Sequence, residues 1–250
     1  MFVDQLLLYL VTLLIAGVLI GYVGVMSWLA MRHNDSAGVT SALKGAAVPL
    51  GGVGFAATVL ALWGQIAWPL PGSYNILFTD VYLLFGVTLL VLAVAMAFSL
   101  KLQYAGLLGL VSGSVAISYG YIGWHLGMTK EPFEMFLLYA GFGFAGILSA
   151  PATFLVDHYR AHPDGTAFAW GTSLATARRR PSIQVATRAA QPIQPVTSEV
   201  EPSTSPTPIF RLPIAISVTV LVFVAFVALA AIAALFFIDS TLPAHLASAP

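Results

Sequence analysis

Six stretches of about 20 mainly apolar residues decide what this chain can fold into, because each is long enough to cross a hydrocarbon layer. They cover residues 6–30, 46–66, 81–100, 104–124, 133–156 and 214–238, and apart from Glu134 at the start of the fifth they carry no Asp, Glu, Lys or Arg. Inside a bilayer every backbone N–H and C=O needs an internal partner, so such stretches become helices. The expectation is an all-α fold, a polytopic transmembrane bundle of about six helices. The chain is 59% hydrophobic and 8% charged, whereas a soluble domain carries about 25% charged residues. A formal net charge of +0 gives no reason to expect a nucleic-acid partner. The partner implied is the lipid bilayer.

The basic residues orient the bundle. Arg32 and Lys44 fall between the first two spans, Lys101 between the third and fourth, and Arg160, Arg178, Arg179, Arg180, Arg188 and Arg211 between the fifth and sixth. Six spans put all of these on one side and leave Lys130 for the other. Basic loops stay in the cytoplasm. The expected placement is a plasma-membrane protein with both termini outside. The start of the chain has no basic segment, and its apolar run is too long for a signal-peptide core, so the first span is read as retained.

Three regions follow. Residues 1–156 form a five-helix membrane domain, 157–212 a linker, and 213–250 a last helix with a short outer tail. In the linker, prolines recur from Pro163 to Pro208 among Ser, Thr, Gln and Ala. Such a segment cannot bury enough apolar area to offset its ordering entropy, and it reads as an extended cytoplasmic tether. The Arg178, Arg179, Arg180 cluster reads first as a stop signal touching anionic lipid.

Span four carries the clearest pattern. Gly106, Gly109, Gly113, Ala116, Gly120 and Gly123 follow one another at steps of three and four. Lipid gives helices little drive to associate, so contact depends on close backbone approach, which small residues allow. Gly17, Gly21 and Gly24 in span one, and Gly143, Gly146 and Ala150 in span five, are spaced similarly. Span four is expected at the centre, packed tightly on a neighbour within the chain rather than on a second copy. Ser114, Ser118 and Tyr121 share a face of the same span, the only hint of a polar pathway. The residues 49–54, with Pro49 and three glycines, are the only candidate for a broken helix.

On the outer side, the segment WPLPGSYNILFTD (68–80) reads as a loop, with a type II turn at Pro71 and Gly72. GWHLGMTKEPFE (123–134) reads as a second loop. Together they bring Asp80, His125, Glu131 and Glu134 to one end, and a His with carboxylates could hold a divalent metal. No metal-helix spacing is present, and a plainer reading competes. Asp80 and Glu134 then start helices, where a carboxylate suits the positive helix end. Trp68 and Trp124 then sit at the membrane interface. With no Cys and no His at mid-depth, neither thiolate metal chemistry nor an axially ligated haem is expected. No cofactor is expected from these residues.

The run WPLPGSYNILFTD with the following LLFGVTLL, the stretch ISYGYIGWHLGMTKEP and the helix LLYAGFGFAGILSAP together resemble an archaeal and bacterial multi-pass membrane family, a domain of unknown function of the 981 type. The resemblance covers roughly residues 63–160. It implies a compact helical membrane domain and no activity, with the linker and sixth span as additions. The favoured reading is a non-catalytic integral membrane subunit, accessory or scaffold, of a larger assembly such as a respiratory or other redox complex. Its motives are the small-residue stripe, the tethered sixth helix and the lack of ionisable groups at mid-depth. Two alternatives stand beside it: a small-solute transporter or channel lined by Ser114, Ser118 and Tyr121, and a metal-dependent membrane enzyme using the outer His and carboxylates.

Overall fold

The computed structural model describes residues 5–70, 72–161 and 214–247, with the side chains of the last stretch described over 217–236. The described residues are helical: α1 (Gln5–Arg32), α2 (Ser36–Ala67), α3 (Ser73–Ala97), α4 (Gln103–His125), α5 (Pro132–Ala161) and α6 (Ile214–Ala247). All six are long and apolar enough to cross a membrane. The expected linker lies almost wholly outside the described residues, as do Arg178, Arg179, Arg180, Arg188 and Arg211.

Two helices begin earlier than hydropathy suggests. The second span was expected from residue 46, but α2 starts at Ser36. The side chain of Asp35 accepts a hydrogen bond from the Gly38 N–H at 2.7 Å, so a polar cap sets the start ahead of the apolar run. Lys44 therefore sits on a helix and not in a loop. The third span was expected from residue 81, but α3 starts at Ser73, and the loop expected over 68–80 shrinks to a short connection. Its polar residues were misleading. Asn75 and Thr79 are fully buried. Asn75 Nδ2 donates to the Gly64 carbonyl at 3.0 Å, and Thr79 donates to the Asn75 carbonyl. Gly72 has φ 56 and ψ −131 and caps α3, away from the ψ near 0° that the third residue of a type II turn needs. Pro71 lies outside the described residues. Pro49 does not break α2, and Pro151 lies inside α5. At the far ends, α5 runs five residues past 156, and α6 continues through most of the expected outer tail.

The helices form a ring. Each packs on its chain neighbour from α1 to α5, and α6 closes the circle between α1 and α5. Gly17 of α1 meets Ala231, and Gly24 meets Val224, so α6 runs antiparallel to α1. The sixth helix thus docks on the main bundle rather than apart from it. One end of the ring gathers Arg32, Lys44, Lys101 and Arg160, four of the five described Lys and Arg residues. Tyr159 donates there to Asn34 Oδ1 at 3.2 Å, tying α5 to the α1–α2 turn. The opposite end carries Asp80, His125, Lys130, Glu131 and Glu134.

Candidate functional site

The small-residue stripe of α4 is buried throughout, from Gly106 to Gly123. Most of it faces α5. A Cβ on Gly113 would lie 2.9 Å from Ile147 N and 3.1 Å from Gly146 Cα, and would collide with the Gly143 carbonyl. Gly109 and Gly106 meet Ser149 and Thr153, and Ser149 Oγ donates to the Gly106 carbonyl at 3.2 Å. Gly120 accommodates Tyr139, and Gly123 accommodates Met135 and Leu77. Ala116 packs with the same three side chains. Here two backbones touch, and nothing is left between them.

Along one edge of this seam, where Gly109, Gly113 and Ala116 reach it, α4 faces α3 and α1 across a cavity of about 670 Å³. Leu10 and Leu13 of α1, Phe78 and Phe85 of α3, and Leu138 and Phe142 of α5 make most of its wall. The wall also holds hydroxyls, but they are already bonded. Thr88 Oγ1 and Ser112 Oγ lie 3.0 Å apart and link α3 to α4. Tyr82 OH pairs with Thr12 Oγ1, and Tyr9 stacks on Tyr82 with ring centroids 3.9 Å apart. Tyr9 OH donates to the Leu60 carbonyl at 3.3 Å. A wall with satisfied hydroxyls offers mainly dispersion and hydrophobic contact. The mouth differs. It is formed by Thr129, Lys130, Glu131 and Glu134, and Thr129 Oγ1 is buried without a hydrogen-bond partner among the described residues.

Below this cavity lies a second, smaller one of about 170 Å³. Phe85, Thr88 and Phe142 line both. The rings of Phe85 and Phe142 meet edge to face with centroids 6.2 Å apart. They form the floor of the upper cavity and the roof of the lower one. Toward the basic end the lower cavity is closed by Met31, Leu43 and Leu102, all buried.

The sequence-predicted site residues are scattered around this arrangement. Asp80 does not start a helix. It lies about two turns inside α3, where it accepts hydrogen bonds from Gln65 of α2 and from Tyr119 of α4 at 3.0 Å. It therefore ties three helices together as a carboxylate held within a span. Glu134 does stand in the first turn of α5. His125 is exposed at the end of α4, with its ring 4.3 Å from that of Tyr121 and 4.9 Å from that of Trp124. Glu131 and Glu134 belong to the cavity mouth. Among the described residues no three His, Cys, Asp or Glu side chains gather in a metal-binding group. Ser114 and Ser118 face outward and bond back to the Leu110 and Ser114 carbonyls, each at 2.9 Å. Tyr121 is 51% exposed. The polar pathway expected on that face is thus on the outside of the ring, and the cavity lies on the Ser112 face instead.

The fold and cavity define a polytopic α-helical membrane protein with an apolar chamber inside its bundle. The family described as "Protein of unknown function (DUF981)" matches residues 1–176, and the chain belongs to it. The match takes in all of α1 to α5 and is wider than the resemblance over 63–160; α6 lies outside it. Neither the curated proteins nor the solved structures provide a match.

Proposed function

We propose that this protein binds an amphipathic small molecule inside its helix ring, with the apolar body in the chamber and a neutral or cationic head at the mouth. One observation carries the reading. The chamber of about 670 Å³ is walled by Leu, Phe and stacked Tyr, yet opens onto Lys130, Glu131, Glu134 and the unpartnered Thr129 hydroxyl. Ligand chambers of about 300–1,000 Å³ combine such an apolar wall with a few polar groups that fix orientation. The two carboxylates outnumber the one lysine at the mouth, which favours a neutral or positive head.

This reading is closer to the solute-handling alternative than to the accessory subunit. The α4 stripe is engaged by α5, and α6 is engaged by α1 and α5, so the two features that suggested a partner have occupants within the chain. For orientation, the four basic residues at one end support placing that end in the cytoplasm and both termini outside. Native mass spectrometry of the full chain released from mild detergent tests the binding. The wild type should retain a small-molecule adduct, and Leu13→Trp, which fills the chamber from α1, should lose it. An adduct kept equally by both would overturn the proposal. Co-migration with other polypeptides and no adduct would favour the subunit.

A further inference from the structure

A second, independent site lies at the basic end. The first turns of α2, the α3–α4 turn and the last turns of α5 enclose a groove of about 1120 Å³. It exists because α2 and α5 barely touch. Lys44 enters it from α2, Lys101 from the turn, and Arg160 from α5. The single acid on its wall, Asp157, is already engaged, in part by Arg160 itself. Asp157 accepts the backbone N–H of Gln103 at 2.8 Å, capping α4, and its other oxygen lies 3.7 Å from Arg160. Arg160 is also held in place by the carbonyls of Ser99 and Leu100, both at 3.4 Å. Lys44 and Lys101 are exposed and make no ion pair among the described residues.

Two unpaired ammonium groups and an anchored guanidinium around one opening leave positive charge that an anion would complement. Ser41 and Ser99 add hydroxyls on the same wall. The groove also has an apolar edge. Leu100 and Phe154 line it while remaining 53% and 48% exposed. A free anion has no use for that edge, whereas a lipid would lay its acyl chains there. We infer that the groove seats the phosphate headgroup of an anionic phospholipid from the leaflet at this end. Basic pockets between membrane helices are a known chemical form of such recognition.

The test is the thermal stability of the full chain in a neutral detergent during titration with short-chain phosphatidylglycerol. Phosphatidylcholine and inorganic phosphate form the comparison arms. The expected result is a saturable rise in Tm with phosphatidylglycerol alone. Replacing both lysines, as Lys44→Gln with Lys101→Gln, should weaken the apparent affinity about twenty-five-fold, since each basic group near a charged lipid contributes roughly a factor of five. Arg32→Gln removes a charge at the same end but outside the groove and should leave the titration unchanged. Should that variant weaken binding as much, general surface charge would account for the effect and the site would be lost. An equal response to phosphatidylcholine, or an equal response to inorganic phosphate, would overturn the assignment to an anionic lipid. If the double variant is too unstable to purify, Lys101→Gln alone should still weaken binding about five-fold.

Discussion

The two faces of α4 solve the same packing problem in opposite ways. Toward α5, glycines let the backbones meet, as where Gly113 approaches Gly146 and Ile147. Toward α3, aromatic rings stand between the helices, a hydroxyl pair spans the gap, and a chamber remains. Neither face is more hydrophobic in any sense that matters in lipid. What differs is side-chain size, which sets how close two helices can come. The bundle is closed where glycines let backbones meet and propped open where aromatic rings stand between the helices.

The largest expected effect breaks the closed face. Gly113→Leu must push α4 off α5 against backbone on both sides, which should cost several kcal/mol, above the usual range for overpacking. Thermal unfolding in detergent would show this as loss of the cooperative transition or a large fall in Tm. Asp80→Ala comes next, on the open face. It removes the carboxylate that accepts from Gln65 and Tyr119, so α2, α3 and α4 lose a shared tie worth about 2 kcal/mol for hydrogen bonds to a charged group. The same unfolding measurement should register a moderate fall. Thr88→Val is smaller, about 1 kcal/mol, because one interhelical hydroxyl bond is lost and Ser112 can bond back to its own helix. Gly52→Leu sharpens the contrast from the other side. A Cβ there meets nothing within 4 Å, so Tm should hold or rise slightly, because leucine is the better helix former. If Gly52→Leu were as harmful as Gly113→Leu, close approach to a neighbouring helix would not be what makes glycine necessary at position 113.

Much of this was open to a reader of the sequence, for identifiable reasons. Hydrocarbon thickness sets the length of a span, and that requirement marks six spans in this chain. Spacing at three and four marks one face of α4, but it does not name the helix across from it. Ser114 and Ser118 share a face as their spacing implies, and only the packed structure shows that this face points outward. The start of α2 was hidden because Asp35 caps a polar first turn ahead of the apolar run. The start of α3 was hidden because Asn75 and Thr79 look like loop residues, although both are buried and bonded to backbone carbonyls. The chamber has no local signal. It arises from Phe85 and Phe142, distant in sequence, meeting at mid-bundle. The basic groove likewise draws on residues from three separate segments.

Whether the chamber takes up a ligand can be read directly from which residues a membrane-soluble probe reaches. The most direct test is photolabelling of the full chain in membranes with a long-chain alcohol carrying a diazirine on its chain, followed by peptide mapping. The account predicts saturable labelling on chamber residues such as Leu13, Ser112 and Phe142, lost when excess unlabelled alcohol is added. Labelling confined to outward residues of α4 such as Leu107 and Val111, both more than half exposed, would contradict it.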